Sequence, residues 1–238
     1  MYWETWREEC RIADHILVNS DWSQQLLIQA GVDSRKLSVV PVVYEGNISC
    51  KMATRRYPLI FDKKRPLVVL FLGTMTLRKG LIEVVEAARV LLREPVRFIF
   101  VGSDPEGYMT TAKQEPNITW HDRVRRSQVL RFYRDADVLL FPTHSDGFGM
   151  VQIEALESGL PVIASRNCAA IIEHGKTGLL LDQVTSEEIV RAIRQCVMAP
   201  EKLVSMSAAA TAGGAAFACQ SATAFLNAIQ AIATRNSQ

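Results

Sequence analysis

The sequence predicts an α/β fold in which helices cover both faces of a doubly wound parallel sheet. Short runs of β-branched residues and leucine alternate with longer amphipathic segments through the middle of the 238-residue chain. Several short runs are apolar without alternation, as expected for strands that are buried on both faces. The predicted strands cover 16–19, 37–43, 67–73, 97–102, 118–121, 138–141, 162–165 and 179–181.

Capping residues mark the predicted helices between these strands. Ser20 can accept a backbone hydrogen bond at the start of a helix over 21–30, and Ser127 can do the same for a helix that continues to Arg134. Thr185 begins a capping-box pattern, which has a glutamate three residues later. Further helices are predicted over 81–92, from near Gly149 until Gly159 and Pro161, and after Thr185.

Composition excludes several classes of protein. With 48% hydrophobic and 22% charged residues the chain is not largely disordered, and its net charge of +2 gives no general indication of nucleic-acid binding. Its five cysteines are widely spaced and odd in number, which favours free thiols in a reducing compartment. The first residues do not resemble a signal peptide, and no apolar run approaches the ~20 residues needed to cross a bilayer. The sequence therefore predicts a cytoplasmic protein.

One basic segment and the two ends of the chain suggest partners. The segment 51–65 could contact phosphates or anionic lipid, or it could be a solvated loop, so at most a peripheral membrane contact is predicted. Residues 1–43 predict too little structure for a domain of their own. After Lys202 the chain has a single charged residue, Arg235, so we predict that the helical tail over 203–238 packs against a partner or a missing domain.

The turn that follows the predicted strand 67–73 is the first candidate site. Arg78 and Lys79 precede a helix start, where the helix dipole disfavours cations by ~0.3–1 kcal/mol unless an anion is bound. Backbone amides at a helix start, together with lysine and arginine, can bind a diphosphate. The alternative is that Arg78 and Lys79 are two exposed charges on a loop.

The loop that follows the predicted strand 138–141 is the second candidate site. It contains Asp146 and two glycines, which allow close backbone approach to a ligand, and a helix begins directly after them. Ligands of open parallel sheets bind at such strand ends. Glu154 lies two turns into that helix, so Asp146 and Glu154 can face one crevice. Carboxylates can accept two hydrogen bonds from the hydroxyls of a ribose or another sugar.

The order and spacing of these segments resemble those of the retaining glycosyltransferases of group 1, also called family 4, which have the GT-B fold. The stretch 146–165 is similar to the family pattern Glu-Gly-Phe-Gly, four residues, Glu and then Ala-x-x-x-Gly-x-Pro-Val-Ile-Ala. The segment 71–80 is similar to the family's diphosphate turn. Further similar segments are 13–20 and 39–41, which match its linker region, and 175–180.

This resemblance implies that the chain is the C-terminal, donor-binding half of an enzyme with two facing Rossmann-like domains. Residues 1–43 would be the remnant of the N-terminal domain and the linker, 44–202 a Rossmann-like domain that binds a nucleotide sugar, and 203–238 the helical tail. The implied reaction is transfer of a hexose, with retention of the anomeric configuration, from a nucleotide diphosphate sugar to an unknown acceptor. UDP is the family's commonest carrier and is the expected one here.

The resemblance also assigns roles to residues of the two candidate sites. Lys79 would bind the donor diphosphate, Asp146 the sugar hydroxyls and Glu154 the ribose, and these three are the implied catalytic residues. No cofactor or metal is expected, because basic side chains and helix amides neutralise the leaving diphosphate. The other implied binding residues are Gly73, Thr74 and Arg78 in the first turn and Phe148, Gly149 and Met150 in the second loop.

Two functions remain open at this point. Thr74 stands where the family usually has an arginine, and Asp146 replaces a glutamate that is one methylene longer. The chain could be the donor domain of an active transferase. Alternatively, it could be a weak or inactive nucleotide-sugar-binding module that pairs with a separate acceptor-binding chain. A partner domain or a homo-oligomer is possible in either case.

Overall fold

A six-stranded parallel sheet lies at the centre of the protein, as the sequence predicts. The structure is a computed structural model, and it describes residues 2–44, 55–109 and 115–235. Strands β1 and β2 form a separate parallel pair, and the main sheet has the order β5-β4-β3-β6-β7-β8. The strands are β1 (Ile16–Val18), β2 (Leu37–Val39), β3 (Leu67–Leu72), β4 (Val96–Val101), β5 (Ile118–His121), β6 (Val138–Phe141), β7 (Val162–Ser165) and β8 (Gly178–Leu181).

Seven α-helices are present in the described ranges, and most of the predicted caps are confirmed. Ser20 accepts from the Ser23 amide at 3.2 Å, and Thr185 accepts from the Glu188 amide at 3.3 Å. A 3-10 turn at Leu77–Lys79 precedes α3. The helices are α1 (Tyr2–Ile12), α2 (Asp21–Gln29), α3 (Leu81–Val90), α4 (Arg126–Asp135), α5 (Met150–Glu157), α6 (Ser186–Met198) and α7 (Pro200–Arg235).

Two predicted boundaries are wrong. The strand predicted over 37–43 ends at Val39, because Pro41 has no amide hydrogen with which to continue the ladder. Ser127 is not the N-cap of α4, since it lies inside the first turn. The helix begins one residue earlier, and the side chain of Gln128 accepts the backbone amide of Arg125 at 3.2 Å.

The strand order creates one switch point, which lies between β3 and β6. From β3 the chain winds outward through β4 to β5, then returns to place β6 on the other side of β3. Helices α3 and α6 pack against one face of the sheet, and α4 and α5 pack against the other. Both β3 and β6 therefore end at a crevice between their following loops, where ligands of such folds bind.

The long helix α7 packs against this chain along its first half and again at the buried Ser221 in its second half. Leu203, Met206 and Ala210 are buried, and the Ser207 hydroxyl donates to the carbonyl of Gly159 at 2.7 Å. This part of the tail therefore packs against residues around α5 of the same chain, where the sequence suggested a partner or a missing domain. Leu226, in the second half, is 65% exposed, so a further partner there stays a prediction, as do the boundaries at 43 and 202. No described helix is both long and apolar enough to span a membrane.

In the described part of the basic segment, Arg55 and Arg65 are tied into the fold, whereas Arg56, Lys63 and Lys64 are exposed. Arg65 forms a bidentate pair with the buried Asp137, with N···O distances of 2.7 and 2.6 Å. Arg55 donates to the carbonyls of Tyr133, Ala136 and Ser158, and thereby satisfies carbonyls at the ends of α4 and α5. The rest of the predicted basic surface, 51–54, lies outside the described residues.

Two buried cysteines should be inert in the folded protein. Burial raises the pKa of the Cys168 and Cys196 thiols to about 12, and the thiolate is the form that reacts. We expect neither residue to be alkylated by iodoacetamide at about pH 8, whereas both should be alkylated after unfolding in urea. Peptide mass spectrometry would measure this, with the half-buried Cys10 as the reference thiol. Alkylation of Cys168 in the native protein at the rate of Cys10 would contradict the expectation.

Candidate functional site

The candidate site lies in the crevice between the turn after β3 and the loop after β6. The backbone amide of His144 donates to the carbonyl of Arg78 at 2.8 Å, and the buried Thr143 hydroxyl donates to the same carbonyl at 3.1 Å. Behind them, the Ser165 hydroxyl donates to the carbonyl of Thr143 at 2.6 Å. These hydrogen bonds fix the position of one loop relative to the other. The roles of Thr143 and Ser165 were not predicted from the sequence.

The crevice brings together three of the predicted site residues. Lys79 and Asp146 form an ion pair and are 17% and 18% exposed, respectively, so both charges are largely withdrawn from water. The Lys79 ammonium also lies 4.9 Å from the centre of the Phe141 ring. Arg78 is more exposed; it donates to the carbonyl of Ser145, and its Nη1 is 3.9 Å from Oδ2 of Asp146. Lys79 and Arg78 thus bring two positive charges close to the one negative charge of Asp146.

Helix α5 begins at this crevice with its first amides uncapped by any side chain. Its N-cap is Gly149, which has a φ of +80°. A Cβ at this position would lie 2.7 Å from the ring of Phe141 and 2.8 Å from Nε2 of Gln152, so only glycine fits. Gln152 is buried and donates to the carbonyl of Phe148 at 3.1 Å, which fixes the loop behind the helix start. Uncapped amides in the first turn of a helix can bind an anionic group.

Glu154, in the second turn of α5, forms a hydrogen bond with a tyrosine of the neighbouring helix. The hydroxyl of Tyr133, on α4, donates to Oε2 of Glu154 at 2.7 Å. One turn further along α5, the hydroxyl of Tyr44 donates to Oε2 of Glu157 at the same distance. Sequence reasoning missed both tyrosines, because each lies far from α5 in the chain and in no recognisable motif.

A second cleft, of about 400 Å³, lies beside the first at the ends of β3 and β4. The structure places Gly73 and Thr74 here, rather than with Lys79. The helix α4 lines it through Val129, which is one turn before Tyr133. The lining residues are Leu72, Gly73, Thr74, Val101, Gly102, Ser103, Arg123, Val124 and Val129.

The N-terminal segment contacts the site loop directly. The Ser20 hydroxyl donates to the carbonyl of Gly147, and the side chain of Asn19 lies 3.2 Å from where a Cβ on Gly147 would be. Asn19 and Ser20, which lie in the segment similar to the family's linker region, therefore contact the loop that carries Asp146.

No metal cluster accompanies the site in the part of the chain that the structure describes. Groups of three or more His, Cys, Asp or Glu side chains placed to hold an ion are absent from those ranges. Metal independence stays a prediction.

Comparisons with known proteins identify the family. The family model for glycosyl transferases group 1 matches residues 58–212. The D-inositol 3-phosphate glycosyltransferase of Segniliparus rotundus is 32% identical over 221 residues, which cover 86% of this chain and 49% of that protein. The capsular polysaccharide biosynthesis glycosyltransferase CapM of Staphylococcus aureus is 27% identical over 158 residues, which cover 62% of this chain and 40% of CapM. The chain thus spans about half the length of the curated relatives it matches.

Solved structures share the fold over nearly the whole chain. Anabaena HepE, crystallised in complex with UDP and glucose, matches 95% of this chain and 65% of its own, with a TM-score of 0.73 and 22% identity. Sucrose-phosphate synthase from Thermosynechococcus elongatus matches 95% of this chain and 59% of its own, with a TM-score of 0.72 and 21% identity. With the family match over 58–212, we conclude that this chain belongs to the glycosyl transferases group 1 family.

Proposed function

We propose that this chain is the donor-binding part of a retaining hexosyltransferase and that its donor is a UDP-sugar. The observation that carries the proposal is the half-buried pair of Lys79 and Asp146, which lies beside the uncapped start of α5 at the switch point of the sheet. A solved relative of the same fold, HepE, has been crystallised with UDP-glucose. A nucleotide sugar offers a diphosphate, two sets of hydroxyls and a base, and we assign each of them to a group of the site.

The diphosphate is assigned to Lys79, Arg78 and the first amides of α5. Cleavage of the bond between sugar and phosphate leaves additional negative charge on the diphosphate. A cation that is already fixed and shielded from water stabilises this charge more than a solvated one does. Lys79 is fixed by Asp146 and by the Phe141 ring, so it is preorganised for this role. We propose that these cations and amides neutralise the leaving diphosphate without a metal ion.

The remaining parts of the donor are assigned to groups around the diphosphate. Asp146 would accept hydrogen bonds from the sugar hydroxyls while it still holds Lys79. Glu154 would accept from the ribose hydroxyls, and the cleft beside Gly73 and Thr74 would take the base. The assigned groups follow the covalent order of the donor, in which the base and the sugar lie on opposite sides of the diphosphate.

We also propose that the sugar is transferred with retention to an acceptor that is bound outside this donor site. The acceptor would approach the sugar from the side where Ser20 contacts the site loop, because the N-terminal segment lies there. A domain that precedes residue 1 or a partner chain would supply the acceptor site. The alternative, a binding module without chemistry, is favoured by Thr74, which puts a neutral side chain where the family usually has a cation.

Calorimetric titration with UDP, GDP and ADP, each with and without magnesium, tests the proposal. We expect UDP to bind with micromolar affinity, to bind more tightly than GDP or ADP, and to be unaffected by magnesium. Release of UDP from UDP-glucose, measured in the same preparation, separates the two functions. Tight UDP binding without any release would support the binding module, whereas no binding of any of the three nucleotides would contradict both.

A further inference from the structure

We propose that Tyr133 is a positioning residue, which orients the carboxylate of Glu154 for the ribose of the donor. The inference rests on the proposed function, because it takes the ribose as the ligand of Glu154. It adds a residue that the family pattern does not contain. Tyr133 lies on α4 and Glu154 on α5, so the pair also joins the two helices on this face of the sheet.

The hydrogen bond between Tyr133 and Glu154 has a fixed direction. The tyrosine is 1% exposed, and its hydroxyl donates to Oε2 of Glu154 at 2.7 Å. Burial raises the pKa of Tyr133 well above 10, so the hydroxyl stays protonated and can only donate to the carboxylate. The structure shows no protein donor to the other oxygen, Oε1, among the residues it describes. A ligand hydroxyl at Oε1 would therefore have no protein donor to displace.

Tyr133 is itself held on both sides. Its backbone carbonyl accepts from Arg55, and its ring packs in the apolar cluster that contains Leu139 and Leu156. Val129, four residues earlier and therefore on the same face of α4, lines the cleft assigned to the base. A ribose lies between the base and the diphosphate, which places it beside this face. The tyrosine thus connects the wall of the cleft to the carboxylate expected to bind the ribose.

Fixing one oxygen of a glutamate restricts the rotation of the whole side chain. Without the tyrosine hydroxyl, the Glu154 carboxylate can rotate, and ordering it for the ribose diol then costs conformational entropy. The loss of affinity should therefore appear only for ligands that have ribose hydroxyls. A phenylalanine at 133 would keep the ring and its packing, so the change isolates the hydroxyl.

The chain provides a matched control in Tyr44. This residue is also buried, and its hydroxyl donates to Oε2 of Glu157 at 2.7 Å, one turn from Glu154 on the same helix. The variant Tyr44→Phe therefore removes the same kind of hydrogen bond from the same helix. The family pattern assigns no ligand to Glu157, so this variant controls for a general loss of order in α5.

The experiment compares UDP with 2′,3′-dideoxy-UDP, which keeps the base and the diphosphate but has no ribose hydroxyls. Affinities would be measured by calorimetry for the unchanged protein and for Tyr133→Phe, Tyr44→Phe and Glu154→Ala. We expect Tyr133→Phe to lower the affinity for UDP by about three- to tenfold, the range for ordering one side chain on binding, and to change the affinity for the dideoxy ligand by less than about twofold. Tyr44→Phe should leave the ratio of the two affinities unchanged.

The outcomes separate this inference from the proposed function. If the unchanged protein prefers UDP to the dideoxy ligand and Glu154→Ala removes that preference, the ribose assignment stands. In that case, two results would overturn the positioning role. Tyr133→Phe could keep the full preference for UDP over the dideoxy ligand, or it could lose affinity equally for both ligands. If the unchanged protein binds neither ligand, or binds both equally, the assignment of Glu154 fails and the role of Tyr133 fails with it.

Discussion

Replacement of Lys79 by alanine is expected to weaken UDP binding by about ten- to hundredfold, which corresponds to loss of a hydrogen bond between charged groups. The lysine is 17% exposed and is held between Asp146 and the Phe141 ring, so its charge is only partly screened by water. Its removal leaves Asp146 facing the crevice with Arg78 as the nearest cation, at 3.9 Å. The diphosphate would then meet a carboxylate in place of a neutralised pair.

The measurement is calorimetric titration of UDP against Lys79→Ala and against the control Lys176→Ala. Lys176 also pairs with a carboxylate, that of Glu173 at 2.8 Å, but both side chains are at least 60% exposed and far from the crevice in sequence. A surface pair of this kind contributes little, so the control should bind UDP as the unchanged protein does. Affinity for uridine, measured by competition, should not change in either variant. A loss of uridine binding equal to that of UDP would contradict the assignment of Lys79 to the diphosphate.

The sequence predicted the central sheet well because each strand is a short apolar run with its own turn residues. Runs such as Leu67–Leu72 and Val138–Phe141 are buried on both faces, and a run of that kind is recognisable without its neighbours. The position of the crevice followed from the same information, since glycines and a helix start directly follow two strands. That Lys79 and Asp146 form an ion pair was not predicted, although each had been assigned to the donor.

Most of the contacts missed from the sequence join residues that are distant along the chain. Tyr133 and Glu154 meet because α4 and α5 share a face of the sheet, and Ser20 reaches Gly147 across 127 positions. Local patterns contain no information on such pairs, which depend on the order of the strands. The cap at Arg125 was missed for a different reason, since an arginine has no preference for that position and the hydrogen bond comes from Gln128.

Replacement of Gly80 by alanine is expected to lower the free energy of unfolding by about 3 kcal/mol or more, which is in the range of severe core defects. Gly80 has a φ of +76°, where a residue with a Cβ is disfavoured by about 1–2 kcal/mol. A Cβ here would also lie 2.2 Å from the carbonyl oxygen of Pro142. The turn after β3 would have to move away from the loop after β6. The hydrogen bond from the His144 amide to the Arg78 carbonyl, which joins these loops, would lengthen or break.

The variant Gly175→Ala separates the two causes of this loss. Gly175 has nearly the same φ, +77°, but a Cβ there would have nothing within 4 Å, so this variant carries the backbone penalty alone. Urea unfolding should therefore give a loss of about 1–2 kcal/mol for Gly175→Ala and at least twice that for Gly80→Ala. Affinity for UDP should fall only in Gly80→Ala, because only that change separates the two loops of the crevice. Equal losses of stability in the two variants would mean that the turn after β3 can shift freely, and the crevice could not then hold Lys79 and Asp146 in a preorganised pair.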